Sequence, residues 1–393
     1  MAPPARILRR LAAFAITRGD LAFTLGRVFG LVPAMLLSHL LTDEAVLAER
    51  LAAFQVALFV STIVLYGGPQ TYLVKLGVER KVFVFHMAIS SLILTALLAL
   101  VQGAGWAGGL LLPFVFLVFF RSYYLLLASY LKFDVTASLW LIGAALLGLA
   151  AYAATLSDLA GALVTAPAMG WLMYRLGYLK WVWARLAVRR YFRILRENFA
   201  YFFNFLLQQT YSQIVLAVYA LLATGPDYIR AAHGVYLYSV SFIFHGILFR
   251  LTLANMGRAR SRQGIRQQFA TNIRLSLAVG VAAGLIVAVA YPLVETFFFG
   301  SVYLDRMTAL MVAAMIVLNS SNFGWAALMT SERRPWLLAA IGSVTTGCVI
   351  AGLFVQHWLA VPDGIFWVMI AGLVMQAAGR NLLGLSLLRN LRD

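Results

Sequence analysis

The sequence predicts an all-α polytopic membrane protein with about twelve transmembrane helices in two six-helix bundles. Of its 393 residues, 63% are hydrophobic and only 11% are charged, whereas soluble globular domains carry about a quarter charged residues. Apolar runs long enough to span a bilayer, about 20 residues each, recur along the whole chain. A single long basic stretch, Arg175–Glu197, separates these runs into two groups.

Six spans are predicted on each side of the basic stretch. They are 21–42, 51–72, 82–102, 106–127, 135–155, 158–178, 198–222, 229–254, 272–294, 306–328, 336–357 and 363–387. The second span contains Gly67-Gly68-Pro69. Proline removes a backbone donor and glycine loosens the helix, so we expect this span to bend or end there.

The domain organisation follows from these spans. We predict an N-terminal six-helix bundle (1–178), a basic amphipathic cytoplasmic connector (179–197) and a C-terminal six-helix bundle (198–393). The basic stretch interleaves bases with Tyr, Trp and Phe, a composition typical of the headgroup layer, where it would meet anionic membrane lipids. Because the flanking spans hold it at a bilayer, nucleic acid is excluded as its partner. Two such halves are typical of a pseudo-symmetric transporter with its site between them.

Charge distribution predicts the orientation. With the N-terminus inside, nearly all of the 31 Lys and Arg residues fall in cytoplasmic segments, Arg380 among them, and the opposite side keeps only Arg50, Arg230 and Arg306. That opposite side collects most of the acids. They are Asp43, Glu44, Glu49, Asp158, Asp227, Glu295, Asp305 and Asp363. Since bases are retained in the cytoplasm, both termini are predicted to be cytoplasmic.

Three arginines within predicted spans stand out: Arg27, Arg121 and Arg250. Each lies about four to six residues from the cytoplasmic end, or about 6–9 Å deep at the rise of an α-helix. Three guanidinium groups at one depth could converge on a phosphate or pyrophosphate, which their planar fork binds bidentately. The alternative is that each side chain extends to the interface on its own.

Amide side chains are concentrated in two spans. The seventh span carries Asn204, Gln208 and Gln209, and the tenth contains Asn319-Ser320-Ser321-Asn322 near its centre. Amides at such depth need hydrogen-bond partners. They could bond the hydroxyl groups of a sugar, or they could bond neighbouring helices.

Several classes of function are excluded or disfavoured. The chain has no phosphate-binding GxxxxGK[ST] loop. Its histidines show no metal-ligand spacing, and its one cysteine excludes a disulfide framework. We therefore predict no cofactor and no metal. No carboxylate lies in the middle of a predicted span, which disfavours a coupled exporter of cations. His39 and His245 are candidates for a proton relay. The predicted external loops are too short to display the catalytic groups of an enzyme.

Three sequence features resemble one transporter group. They are an inner arginine on the first span (Arg27), a glycine turn before a basic loop (Tyr66-Gly67-Gly68-Pro69-Gln70 through Lys75), and the opening of the second half. That opening reads Leu195-Arg196-Glu197-Asn198-Phe199, Tyr211-Ser212-Gln213-Ile214-Val215 and Gly234-Val235-Tyr236-Leu237-Tyr238-Ser239. The chain thus resembles the polysaccharide-transporter branch, the Wzx-type flippases, of the multidrug/oligosaccharidyl-lipid/polysaccharide (MOP) exporter superfamily. Twelve spans rather than fourteen favour the oligosaccharide branch.

This resemblance implies two six-helix bundles around a central cavity and a substrate of sugars on a polyprenyl pyrophosphate. It makes Arg27 and Arg250 the first candidates for contact with the headgroup. We therefore expect a flippase of the bacterial inner membrane that moves a lipid-linked oligosaccharide outward by alternating access. Polysaccharide assembly proteins are its expected partners. The alternatives are a MATE-like exporter of small molecules and a non-transporting subunit of a polysaccharide export complex.

Overall fold

The computed structural model describes residues 32–65, 210–258, 262–331 and 335–390 continuously, and single positions between 143 and 207. Its described elements are α1 (Val32–Leu40), α2 (Glu44–Leu65), α3 (Val215–Tyr219), α4 (Gly225–Arg258), α5 (Arg262–Phe299), α6 (Arg306–Ser331), α7 (Pro335–Trp358) and α8 (Gly364–Asn390), with a π-helical turn (Thr210–Ile214) before α3. No strand occurs within these ranges. The predicted spans 82–102 and 106–127 lie outside the described residues, and the connector 179–197 is described only at single positions.

The C-terminal spans agree closely with the prediction. Helices α4 to α8 contain the predicted spans 229–254, 272–294, 306–328, 336–357 and, to within one residue, 363–387. Within the described part of the chain, α5, α6, α7 and α8 are long and apolar enough to cross a membrane. The prediction of a helical, multi-pass membrane protein is therefore confirmed, while the total of twelve spans and the orientation stay predictions.

Helix α5 changes direction near its end. Pro292 lies inside the helix, and Ala290 just before it has non-helical angles (φ −113°, ψ 20°), because a proline ring displaces the preceding turn and removes a donor. The helix ends at Gly300, whose φ is +76°, a left-handed conformation that glycine adopts without a steric penalty. A Cβ at Gly300 would also lie 2.6 Å from Nδ1 of His39.

Aspartates begin two of the helices. Oδ1 of Asp43 accepts the backbone N–H groups of Ala45 (2.9 Å) and Val46 (3.1 Å) at the start of α2. Oδ1 of Asp305 accepts the N–H of Thr308 at 2.7 Å at the start of α6. Such caps satisfy donors that have no partner within the helix.

Helices α5 and α6 pack through small residues. Gly280 and Gly284, a GxxxG pair noticeable in the sequence, both face α6. A Cβ at Gly280 would overlap the side chain of Ser320, with 2.6 Å to its Cβ, and one at Gly284 would lie 3.1 Å from the carbonyl oxygen of Ala313. The two backbones approach closely because neither glycine carries a side chain.

Helix α2, from the N-terminal half, packs against elements of the C-terminal half. The rings of Phe54 and Tyr236 meet edge to face at 6.5 Å. Nε2 of Gln55 donates to the carbonyl of Ser212 in the π-helical turn at 3.0 Å, and the Tyr236 hydroxyl donates to Oε1 of Gln55 at 3.3 Å. Phe54 and Tyr236 belong to one buried core that also includes residues of α1 and α4 to α8.

We call one end of the described helices the acidic end. It consists of the helix ends that carry Asp43, Glu44, Asp227, Asp305 and Asp363. Three contacts bring its segments together. The Tyr303 hydroxyl donates to Glu44 at 3.0 Å, Arg230 pairs with Asp363 at 3.4 Å, and Nε2 of His39 lies 3.3 Å from the carbonyl oxygen of Phe297. The sequence assigns these acids to the external side.

Candidate functional site

A buried arginine marks the most unusual polar region in the described part of the chain. Arg380 lies on α8 with 6% of the residue's surface exposed, and its Nη1 donates to the main-chain carbonyl of Asn322 on α6 at 3.1 Å. It is 16 residues from Gly364, where α8 begins, so it lies about 24 Å along the helix from the acidic end. The guanidinium group is inside the protein, well below the surface.

Three buried amide side chains lie near this arginine on α6 and α8. Nδ2 of Asn322 lies 3.3 Å from Oδ1 of Asn319 and 3.5 Å from Oε1 of Gln376. All three amide side chains are buried. Gln376 and Arg380 are four residues apart on α8, and Asn319 and Asn322 are three apart on α6, so each pair shares one helix face. We call these four residues the Arg380 cluster.

Tyr211 extends the Arg380 cluster toward the seventh span. It is buried in the π-helical turn, a distortion that is frequent at functional sites. A Cβ at Gly372 on α8 would lie 2.8 Å from the Tyr211 hydroxyl, so the absence of a side chain there lets the ring approach α8.

Hydrogen-bonding capacity remains unused in this region. Among the described residues, Nε of Arg380, Oδ1 of Asn322 and the hydroxyl of Tyr211 have no hydrogen-bond partner although all three atoms are buried. No carboxylate of the described ranges forms an ion pair with Arg380. Arginine stays protonated in proteins, and a buried charge without a counter-charge is unfavourable. An anion with hydrogen-bonding groups would supply what is missing.

The structure describes only part of the predicted site. Asn319 and Asn322 belong to the Arg380 cluster. Arg27, Arg121, Asn204, Gln208 and Gln209 lie outside the described residues. The backbone of Arg250 lies in α4, eight residues before its end at Arg258; its side chain is not among those described. Convergence of the three arginines therefore stays a prediction.

The sequence analysis missed Arg380 and Gln376. Arg380 was assigned to the cytoplasmic bases because it is near the end of the last predicted span. In the structure its side chain is buried and bonds the main chain of Asn322 on α6 instead of water. Its spacing of four residues from Gln376, within an otherwise apolar helix, was the available signal.

A second buried ionic group lies at the acidic end. Nδ1 of His233 on α4 is 2.8 Å from Oε1 of Glu295 on α5, and both side chains are fully buried. The sequence analysis placed Glu295 among the external acids, one residue beyond the predicted span 272–294. In the structure α5 continues to Phe299, and the carboxylate is buried. The C-terminal half thus contains a buried carboxylate that hydropathy alone did not indicate.

His245, predicted as a candidate for a proton relay, is held by main-chain groups. Its Nδ1 lies 2.6 Å from the carbonyl oxygen of Ser241 and its Nε2 lies 3.2 Å from that of Ser276. Its ring stacks on Phe323 at 5.0 Å. These contacts join α4, α5 and α6. The other candidate, His39, is exposed at the acidic end.

No family model and no curated protein matches this sequence. Solved structures do match it. The eukaryotic MATE transporter AtDTX14 aligns with a TM-score of 0.61 and 14% sequence identity over 98% of both chains. The chain has the MATE transporter fold.

Two further structures with the MATE fold are informative. A MOP superfamily transporter from Pyrococcus furiosus aligns with a TM-score of 0.59 and 12% identity over 95% of this chain and 96% of that one. It is described as having a binding pocket of reversed polarity, which suggests a different function for it. An inward-facing multidrug resistance MATE transporter aligns with a TM-score of 0.57 and 13% identity over 98% of both chains.

Proposed function

We propose that this chain is a flippase that moves an anionic lipid-linked oligosaccharide across the bacterial inner membrane by alternating access. One observation carries the proposal: Arg380 is buried in a MATE-like fold and has no carboxylate partner among the described residues. The orientation supported by the distribution of bases puts both termini in the cytoplasm and makes the direction outward.

The charge of the Arg380 cluster supports an anionic substrate. An organic cation would be repelled by Arg380, whereas a phosphate or diphosphate would compensate its charge and accept from its free Nε–H. The three predicted arginines Arg27, Arg121 and Arg250 would add to the same field. The reversed pocket polarity described for the Pyrococcus furiosus protein supports the view that the polarity of the binding pocket differs among proteins of this fold.

The neutral groups of the Arg380 cluster support a substrate that also carries hydroxyl groups. Oδ1 of Asn322 is a buried acceptor without a partner in the described part of the chain, and the Tyr211 hydroxyl likewise lacks one. Sugar hydroxyls donate and accept, so they would satisfy both atoms. An oligosaccharide on a diphosphate lipid combines the two kinds of group.

A transport assay tests this proposal. The full chain is reconstituted into liposomes with a fluorescent oligosaccharide on a polyprenyl diphosphate, and translocation is followed by a membrane-impermeant quencher. The matched control substrate is the same oligosaccharide on an uncharged polyprenyl lipid. We expect translocation of the diphosphate lipid well above protein-free liposomes and little translocation of the uncharged one. Equal rates for both lipids would contradict the assigned role of charge, and no translocation of either would contradict the proposed function.

A second candidate function is export of small molecules. The solved structures that share the fold include a multidrug resistance MATE transporter, and Glu295 supplies a buried carboxylate in this chain. The same liposomes distinguish the two candidates. Two results together would favour the exporter. The liposomes would take up an organic cation at a rate that substitutions of Arg380 do not change, and the diphosphate lipid would not move.

Anionic membrane lipids and polysaccharide assembly proteins are the proposed partners of the flippase. The basic connector 179–197 would hold the cytoplasmic surface to anionic headgroups. Assembly proteins would supply and consume the lipid-linked oligosaccharide on the two sides of the membrane. We propose no enzymatic activity for the chain, since the solved structures that share its fold are transporters.

A further inference from the structure

A buried glutamine of the N-terminal half bonds the main chain of the C-terminal half beside Tyr211. Gln55 lies on α2 and is fully buried. Its Nε2 donates to the main-chain carbonyl of Ser212 at 3.0 Å, and its Oε1 accepts from the hydroxyl of Tyr236 on α4 at 3.3 Å. Since a carbonyl can only accept, Ser212 fixes the nitrogen of the amide toward itself. Both ends of the amide are therefore bonded across the two halves.

The bond to Ser212 falls at the centre of the π-helical turn Thr210–Ile214. The hydrogen bonds of a π-helix span one residue more than those of an α-helix, and such turns are rare. One residue corresponds to a rotation of about 100° about the helix axis, so the turn decides in which direction nearby side chains point. A buried donor from another helix thus stabilises an uncommon conformation of this segment.

Tyr211 is the residue that this turn presents to α8. It is buried, and its hydroxyl has no hydrogen-bond partner within the described part of the chain. A Cβ at Gly372 would lie 2.8 Å from the hydroxyl and 3.2 Å from Cε1 of the ring, so the tyrosine occupies the space that a side chain on α8 would fill. The position of the hydroxyl therefore depends on the π-helical turn and, through it, on Gln55.

One face of α8 carries the contact with Tyr211 and the Arg380 cluster in series. Gly372, Gln376 and Arg380 follow one another at intervals of four residues and are all buried, so they share this face. Each interval is about 6 Å along the helix, which puts Gly372 about 12 Å from Arg380 on the side of the acidic end. The amide of Gln376 lies between them and contacts Asn322. The order along the face is hydroxyl, amide and guanidinium.

This order matches the order of groups in a lipid-linked oligosaccharide. With the diphosphate at Arg380, the amides and then the Tyr211 hydroxyl meet the sugars that follow it, toward the acidic end. The separation of about 12 Å along α8 exceeds the length of a single sugar ring. Tyr211 is thus placed to contact a sugar, while Arg380 contacts the phosphates.

We propose that Gln55 is a positioning residue for sugar recognition: it holds the π-helical turn in the geometry that directs the hydroxyl of Tyr211 at the sugars. Tyr211 is then a specificity-determining residue, and the sugars lie on the side of the acidic end. This inference rests on the proposed function, because Arg380 locates the diphosphate. It adds that the site needs a residue of the N-terminal half.

Binding of two lipids to the purified full chain tests this proposal. One is polyprenyl diphosphate, and the other is the same lipid with a neutral trisaccharide attached. We call the dissociation constant of the bare lipid divided by that of the glycosylated lipid the sugar ratio. A loss of folded protein lowers the number of binding sites without changing this ratio. We expect wild type to bind the glycosylated lipid more tightly, with a sugar ratio above one.

Tyr211→Phe removes only the hydroxyl. We expect it to weaken binding of the glycosylated lipid by about 2- to 12-fold, the range for one neutral hydrogen bond, and to leave the affinity for the bare lipid unchanged. Gln55→Met keeps the length of the side chain without its hydrogen bonds, so it should lower the sugar ratio by a similar factor. In the double variant the two losses should not add, since both act through one hydroxyl.

Tyr303→Phe is the matched control, because it also removes one hydrogen bond between the halves, the bond to Glu44 at the acidic end. It should keep the wild-type sugar ratio. Tyr236→Phe provides a second test if Gln55→Met does not fold. It removes only the bond that fixes the oxygen of Gln55, so it should lower the sugar ratio by a smaller factor.

A Tyr211→Phe variant that loses affinity for both lipids equally would overturn the proposal. So would wild-type sugar ratios in Gln55→Met and Tyr236→Phe, or additive losses in the double variant. A wild-type protein that binds both lipids with equal affinity would reject this inference and leave the role of Arg380 intact. Binding of neither lipid would reject the proposed function, and this inference with it.

Discussion

Nη1 of Arg380 donates to the carbonyl oxygen of Asn322 at 3.1 Å, and this bond joins the last helix to the centre of α6. The same guanidinium group leaves Nε without a partner among the described residues. The site is therefore held in place by one bond while part of its donor capacity is left for a ligand. Such a group is expected where function takes precedence over stability.

Replacing Arg380 by methionine separates these two roles. Methionine fills a similar volume without a charge, and it removes the unfavourable burial of a charge that has no counter-charge. We expect Arg380→Met to keep or raise the melting temperature of the detergent-purified protein and to abolish lipid translocation. A marked loss of stability would show that the arginine serves mainly to hold α8 against α6.

Substituting Gly280 tests the contact between α5 and α6. Gly280→Ala puts a methyl group into the side chain of Ser320, so we expect a destabilisation of about 1–3 kcal/mol, the usual cost of overpacking. The matched control is Gly347→Ala on α7, where a Cβ would meet nothing within 4 Å. We expect that control to be neutral or stabilising by up to about 1 kcal/mol, because alanine favours a helix over glycine. Thermal unfolding of both variants provides the comparison; equal losses would contradict the described packing.

The cap of α6 predicts a pH dependence. The backbone N–H of Thr308 donates to Asp305 and lowers the pKa of that carboxyl. Because the folded-state pKa is depressed, the stabilisation is complete above the ordinary aspartate pKa, near 4, and is lost as the pH falls through the lowered value. We expect Asp305→Asn, which keeps a capping oxygen, to remove this part of the acid sensitivity.

The control for this prediction is Asp305→Ala, which removes the cap itself. It should lower stability at neutral pH by about 0.5–2 kcal/mol. Unfolding in urea between acidic and neutral pH measures both variants. An Asp305→Asn variant with unaltered acid sensitivity would show that other carboxylates account for it.

Helix positions and packing faces could be predicted from the sequence because they follow from local patterns. Apolar runs located α4 to α8, and small residues at the spacing of Gly280 and Gly284 are typical of helix contacts. Asn319 and Asn322 were predicted to need partners because amides in a membrane must be bonded. The structure places both in one network with Gln376 and Arg380.

The contacts that form the two buried ionic groups could not be predicted in this way. His233 and Glu295 are 62 residues apart in the chain, and hydropathy gives the depth of a helix but not its rotation about its own axis. Arg380 is similar: a base near the end of an apolar run has the same pattern whether it faces water or another helix. Only the tertiary packing distinguishes these cases.

Binding of a diphosphate lipid by Arg380 variants tests the central claim most directly. The purified full chain is titrated with polyprenyl diphosphate, and wild type is compared with Arg380→Lys, which keeps the charge, and Arg380→Gln, which removes it. A charge-assisted hydrogen bond contributes about 1.5–3 kcal/mol, so we predict that Arg380→Gln weakens binding by about 10- to 100-fold, with Arg380→Lys intermediate. Equal affinity of all three correctly folded proteins would contradict the assignment of Arg380 to the anionic substrate.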